Sequence, residues 1–197
     1  MRVKAPATER NRGPILEVLR RVLPPQGLVL EIAAGTGEHA VYFARHLPGL
    51  IWQPTDGGLL DSIAAWREWA GLANLRPPLR LDVTELPWPV TRADAVFCAN
   101  MIHIAPWCAC EMLFAGVRDV LPAGAPLVLY GPFFRDDAPT VPSNFAFDAD
   151  LRARDPAWGV RRLADVERLA TDCGFSLQGL TEMPANNLTV TFRRRPG

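Results

Sequence analysis

Apolar residues recur along this chain in two alternating rhythms. Ile15, Leu16, Leu19 and Val22 follow the spacing of one helical face, and Pro14 suits the first turn of that helix, where its missing N–H costs nothing. Leu28 to Ile32 reads as a strand, and a second helix begins after Gly37, with Arg45 and His46 placed to suit the negative end of its dipole. Leu50 to Gln53 predicts a short strand ending in Pro54-Thr55-Asp56. Leu59, Ile63, Trp66 and Ala70 then mark one helical stripe. Arg80 to Val83 predicts a third strand. Ala93 to Asn100, a nearly continuous apolar run, predicts a fourth that is buried on both faces. A helix through Met112, Val117 and Leu121 stops at Pro122 and Gly124, Pro126 to Tyr130 predicts a fifth strand, and Asp165 to Thr171 continues a last helix.

The alternation of strands with helices predicts an α/β fold in a single domain over residues 1–197. Residues 1–13 read as an N-terminal arm. Residues 131–157 are rich in Pro, Asp and Arg and lack a clear period, which predicts an irregular segment of the kind that serves as a lid. The tail, LQGLTEMPANNLTVTF, holds two strand-like runs. Too few residues join them for a parallel crossover, which needs roughly a dozen, so they predict an antiparallel hairpin.

Lys+Arg and Asp+Glu balance at 21 each, which gives no broad positive field to gather nucleic acid or an anionic membrane. The leader MRVKAPATERNRG lacks the apolar stretch of a signal peptide, and no run approaches the ~20 apolar residues that span a bilayer. The four cysteines, at 98, 108, 110 and 173, form no C-x-x-C pair. They read as reduced, mostly buried thiols of a cytoplasmic protein, and no metal site is expected.

The chemistry concentrates where the first strand gives way to a helix. Gly35-Thr36-Gly37-Glu38-His39-Ala40 satisfies G-x-G-x-x-G/A, a weak signal alone. The glycines permit close backbone approach, and the helix behind them offers free N–H groups. Three carboxylates strengthen it: Glu31 within the first strand, Asp56 at the end of the second and Asp82 at the end of the third. An acid at the second position suits ribose hydroxyls, and open α/β sheets bind ligands at these strand ends. Asp56 and Asp82 also have local readings, as the start of a turn and as a cap. Glu31 separates the cofactors. A carboxylate there repels a dinucleotide pyrophosphate, whereas S-adenosyl-L-methionine brings a sulfonium cation and an amino group.

Glu31-Ile32-Ala33-Ala34-Gly35-Thr36-Gly37 resembles the E/D-x-G-x-G-x-G motif of class I S-adenosylmethionine-dependent methyltransferases, with Ala33 in place of the first glycine. The segments ATERNRGPILEVLRRVLP, EIAAGTGEHAVYFA, WQPTD, DAVFCANMIHIAPW, LYGPF, PSNFAFD, PAWGVR and MPANNL, spread over residues 7–188, resemble the methyltransferase-like 26 family. The resemblance implies a Rossmann-like, seven-stranded sheet of order 3-2-1-4-5-7-6, its last-numbered strand antiparallel, with helices on both faces. It also implies that Glu31, Ala33, Gly35, Thr36 and Gly37 surround the methionine end and that Asp56 takes the ribose. Asp82 and Val83 would meet the adenine, and Asn100 would close the pocket. S-adenosyl-L-homocysteine would be the product.

On the acceptor side, in-line methyl transfer needs alignment more than acid–base machinery. If the acceptor must lose a proton, His103, just past the fourth strand, is the candidate base; it also reads as a half-buried structural histidine. Trp107, Asn144, Phe145, Asn186 and Asn187 are candidate substrate contacts, each with a local structural reading beside the functional one. Arg12, in Arg10-Asn11-Arg12, either pairs with the cofactor carboxylate or belongs to a solvated arm in which Asn11 caps the first helix. The expected activity is methyl transfer to a small-molecule acceptor. A nicotinamide-dependent oxidoreductase and a non-catalytic S-adenosylmethionine-binding protein stay open as alternatives, and the sequence leaves the oligomeric state undefined.

Overall fold

The structure, a computed structural model, describes residues 1–196. In chain order the principal elements are α1 (Pro6–Val22), β1 (Gly27–Ile32), α2 (Glu38–His46), β2 (Leu50–Asp56), α3 (Leu60–Ala70), β3 (Leu79–Arg80), β4 (Ala95–Ala99) and α4 (Trp107–Val120). They continue with β5 (Pro126–Phe134), α5 (Pro142–Arg154), β6 (Arg161–Arg162), α6 (Leu163–Asp172), β7 (Phe175–Met183) and β8 (Asn187–Arg194). The sheet has the order β3-β2-β1-β4-β5-β8-β7, and the two-residue β6 pairs with the tip of β5. Strands β1 to β5 run parallel, and β8 lies antiparallel between β5 and β7. Apart from the short β6, this is the expected order with its antiparallel last strand.

Strand alternation divides the core into two layers. Leu30, Ile32, Val96, Cys98, Leu127 and Leu129 point to one face, where α4 lays down Cys110, Leu113, Phe114 and Val117 and α6 adds Val166 and Ala170. Val29, Trp52, Ala95, Phe97 and Val128 point to the other face, under α1 and α2. There Phe43 packs between Trp52 and Phe97, its ring centroid 5.4 Å from each. Gly116 in α4 lets Trp88 lie flush on the helix, since a Cβ at that position would overlap the indole ring.

Several boundaries differ from the sequence reading, each for a local reason. Helix α1 starts at Pro6, eight residues before Pro14, so most of the expected arm is helical. Its buried stripe begins with the polar Thr8 and Asn11, which an apolar period does not register. Asn11 is therefore a mid-helix residue and not a cap. Residues 131–157 are mostly regular: β5 runs to Phe134, and α5 occupies Pro142–Arg154 with only Asn144 and Leu151 buried. A helix that buries so little shows no apolar period. Strand β3 is cut short because the Asp82 side chain accepts from Thr84 N (2.9 Å) and Thr84 Oγ1 (2.7 Å) and turns the chain. The hairpin turn is Pro184–Asn186, with Asn187 already in β8. Cys108 is exposed, not buried.

Because Trp88 fills the notch at Gly116, Gly116→Ala is expected to destabilise the fold by about 1–3 kcal/mol in denaturant titration, the usual cost of overpacking. An unchanged midpoint would show that the indole moves aside freely.

Candidate functional site

Strand β1 leads into a loop whose shape is set by the end of β2. Ala33, Gly35 and Gly37 all have positive φ, at 53°, 57° and 94°. Ala33, which stands where the motif has glycine, carries the left-handed conformation at some steric cost. The loop is tied across to β2 by Ala34 N to Thr55 O (2.8 Å), Gly35 N to Asp56 Oδ2 (2.9 Å) and Thr55 Oγ1 to Glu31 O (2.8 Å). Asp56 Oδ1 accepts from Gly58 N (2.8 Å) and Leu59 N (2.9 Å) at the start of α3. The local reading of Asp56 is the one these bonds describe: the side chain braces the loop and the start of α3, with three of about four acceptor sites taken.

The two glycines do different work. A Cβ at Gly37 would come within 2.8 Å of Ile63 Cα, so that residue is small to let α2 pack on α3. A Cβ at Gly35 would meet nothing within 4 Å, so its backbone faces open space. Thr36 lies between them, its carbonyl accepting from Ser62 Oγ (2.8 Å) and its hydroxyl donating to Glu38 Oε2 (3.2 Å). Ser62 Oγ also accepts from Val3 N (3.1 Å), Glu38 Oε2 accepts from Ala5 N, and Trp66 Nε1 donates to Val3 O (2.8 Å). The first five residues therefore form a strap across the starts of α2 and α3.

Glu31 is 2 % exposed, and its Oε2 accepts from Trp52 Nε1 at 2.6 Å. Burial pushes its carboxyl up to about 8, against the opposing pull of the Trp52 N–H; the Asp56 charge adds to the rise. At neutral pH it carries its proton, whereas the sequence reading treats it as a standing charge. Asn11 Oδ1 accepts from His39 Nε2 at 2.8 Å, and burial, with the Arg12 charge behind it, holds His39 neutral, its pKa near 4. Asn11 is a buried residue of α1 that ties it to α2 through His39, a role the sequence reading misses because a buried asparagine in a helix leaves no periodic mark. Arg12 lies over the Tyr42 ring at 4.8 Å and lines a cavity of about 310 Å³ with Glu38, the residue that follows the glycine loop.

Asp82 is exposed in its own turn, and Val83 is buried in the core with its carbonyl accepting from Trp88 Nε1 (3.3 Å). Asn100 ends β4 with φ 60°, its N–H donating to Tyr130 O (2.7 Å). His103 is 0 % exposed, and its Nδ1 accepts from Arg161 N at 3.2 Å. Burial, reinforced by the Arg161 charge, lowers its pKa to about 3. Its ring lies against Gly131, where a Cβ would approach Nε2 to 2.6 Å. The imidazole is buried in its neutral form, with Nδ1 taken by Arg161 N and Nε2 left without a hydrogen-bond partner. Through Nδ1 it fastens the 157–161 segment to the residues that follow β4.

The acceptor candidates separate into two places. Asn144, Asn186 and Asn187 line one cleft of about 210 Å³ with Phe133, Arg135 and Glu182. Asn144 Nδ2 donates to Asn186 O (3.2 Å), and Asn186 Nδ2 donates to Ser143 Oγ (3.0 Å), which joins α5 to the hairpin. Arg135, not anticipated, clamps the cleft by pairing with Asp137 (2.7 Å) and Glu182 (3.0 Å). Phe145 stands exposed beside Phe134, with ring centroids 5.4 Å apart. Trp107 belongs elsewhere, in a groove with Phe134 and Arg161. Among the described residues no group of three or more His, Cys, Asp or Glu is arranged to hold a metal ion, and no helix is long and apolar enough to cross a membrane.

The sheet order, the antiparallel β8 and the glycine loop at the switch between β1 and β4 define the Rossmann-like fold of class I S-adenosylmethionine-dependent methyltransferases. The S-adenosylmethionine-dependent methyltransferase SibL superposes with a TM-score of 0.79 at 24% identity over 96% of this chain. An O-methyltransferase family 2 protein from Planctomyces limnophilus, solved in complex with apigenin, gives 0.80 at 16% over 93%. CalO1, a methyltransferase in calicheamicin biosynthesis solved in its S-adenosylhomocysteine-bound form, gives 0.75 at 17% over 93%. The chain spans only 56%, 56% and 54% of those three proteins. By sequence it belongs to the family described as "Protein of unknown function (DUF938)", whose profile matches residues 2–194.

Asp56→Ala removes the acceptor of three backbone N–H groups. It is expected to cost about 2 kcal/mol of stability in denaturant titration. A loss below a few tenths would show that the loop holds its shape without the carboxylate.

Proposed function

We propose that the protein is an S-adenosylmethionine-dependent methyltransferase acting on a small molecule, and that its resemblance to the methyltransferase-like 26 family reflects shared activity. The observation that carries the proposal is the loop after β1, whose Gly35 N–H is held by Asp56 at the end of β2 and whose Gly35 has nothing within 4 Å of where a side chain would stand. A cation bound near Glu31 favours ionisation of its carboxyl; a pyrophosphate drives the group further toward its neutral form. Because the carboxyl is neutral in the free protein, it does not repel a pyrophosphate by standing charge; what it offers a cationic donor is ionisation beside the cation. The antiparallel β8 weighs against the nicotinamide reading.

S-adenosylmethionine, when bound, supplies a methyl group activated by its sulfonium sulfur. The loop Ala33–Gly37 offers close backbone approach, and Asp56 keeps an acceptor for a ribose hydroxyl. Asn100 holds the end of β4 in the turn that borders the site. Asp82 and Val83 are assigned to the adenine end; the Asp82 carboxylate already bonds Thr84, so its contribution there is to fix the chain. The acceptor is assigned to the cleft of Asn144, Asn186 and Asn187, whose size limits it to a small molecule. Arg135 with its partners Asp137 and Glu182 leaves one negative charge in excess, so the cleft disfavours an anionic acceptor. His103 is assigned a positioning role.

The decisive experiment is incubation of a metabolite extract with methyl-labelled S-adenosylmethionine and the protein, followed by mass spectrometry of labelled products. Incorporation into no compound, with no S-adenosylhomocysteine formed, would sink the reading.

Donor binding has a signed pH dependence. Glu31 is protonated below about 8 in the free protein and ionises beside the cation. Affinity for S-adenosylmethionine is therefore expected to rise with pH up to about 8 and then level, with proton release visible as buffer-dependent heat in calorimetry. S-adenosylhomocysteine, which lacks the sulfonium charge, should show a shallower rise, and Glu31→Gln should flatten both. Equal slopes for the two ligands would detach Glu31 from the sulfonium.

A further inference from the structure

We infer that the groove between the start of α4, the tip of β5, β6 and α6 is a second binding site, for a small aromatic molecule that carries a phosphate or carboxylate group. Its walls hold two aromatic rings, Trp107 and Phe134, and four guanidinium groups, from Arg152, Arg161, Arg162 and Arg168, against one lining carboxylate, Asp165. Asp148, Asp136 and Asp165 pair with Arg152, Arg162 and Arg168, so the uncompensated positive charge of the groove is that of Arg161. The groove's volume, about 500 Å³, is that of a small-molecule site.

Arg161 is the fixed element. Its Nε donates to Ile102 O at 2.8 Å, and its Nη2 donates to Ala105 O and, at 3.1 Å, to Ala157 O. These partners are neutral carbonyls, so the cation is immobilised without being neutralised, and it lies 5.8 Å from the Trp107 ring centroid. The pairing of β6 with Phe133 and Phe134 sets it there, and His103 receives the Arg161 N–H from below. The other arginines have exchangeable partners. Arg162 meets Asp136 at 2.6 Å and Arg168 meets Asp165 at 2.7 Å, both between largely exposed groups. Arg152 meets Asp148 at 2.8 Å. Exposed ion pairs are worth about 0–1 kcal/mol, so a phosphate or carboxylate that offers bidentate geometry can displace them. Flat aromatic walls beside guanidinium forks recognise a ring that bears an anion.

This site is distinct from the acceptor cleft. Successive residues of β5 serve the two places, Phe133 lining the cleft and Phe134 the groove. The inference does not depend on the methyltransferase reading and is tested without cofactor.

The test is calorimetry with 1-naphthyl phosphate, 1-naphthoate and the neutral 1-naphthol. At least one of the two anions is expected to bind tenfold or more tightly than 1-naphthol. The double substitution Arg162→Ala/Arg168→Ala, at exposed positions, should cut that affinity at least tenfold without lowering the melting temperature. Asn144→Ala, in the other cleft, should leave it unchanged. Anions that bind no better than 1-naphthol would overturn the assignment, as would full affinity in the double variant or a loss in Asn144→Ala equal to that in the double variant.

Discussion

The carboxylate of Asp56 is the constraint on which the functional edge depends. Standing at the end of β2, it gathers N–H groups from the loop after β1 and from the start of α3, and so sets three elements relative to one another. Thr55 repeats the device one residue earlier, with its hydroxyl on β1 and its carbonyl on the loop. A loop with three positive φ values in five residues has little intrinsic preference for its shape. It needs outside partners, and neighbouring β2 supplies them.

Several polar side chains lie in the interior. Glu31, Gln53, Thr55 and Asn11 are buried and hydrogen-bonded, and buried His103 is bonded at Nδ1 but not at Nε2. His39 joins them as the partner of Asn11. Such groups are costly to bury, and pairing them offsets most of that cost. The two histidines and Glu31 are held in their neutral forms, so this part of the molecule stores its titratable groups uncharged. Of the three, only Glu31 has a pKa near the neutral range, so it is the one that a neighbouring charge can switch.

The sequence discloses the fold well because strand alternation and helix stripes here are apolar and long. Val29 and Leu30 already sort to opposite layers, and the antiparallel hairpin follows from the shortness of its link. It conceals elements that bury polar or few residues: the first turns of α1 begin with Thr8 and Asn11, and α5 buries only Asn144 and Leu151. The register slip between Leu177 and Gly179 explains why the first run of the hairpin reads unevenly. At the site, residue types are legible but orientations are not. Asp56 and Gly35 come together as expected. Trp107 and the asparagines separate, and His103 turns inward, because those outcomes depend on the pairing of β6 with β5 and on the space left by Gly131.

The strap formed by the first five residues has a mechanical consequence. Val3 reaches Thr36 through Ser62, and Ala5 reaches it through Glu38, so two relays converge on the residue between the two glycines. Chain leader and loop are thereby harnessed: the position of Thr36 is coupled to that of Val3 and Ala5 through two hydrogen-bonded intermediaries.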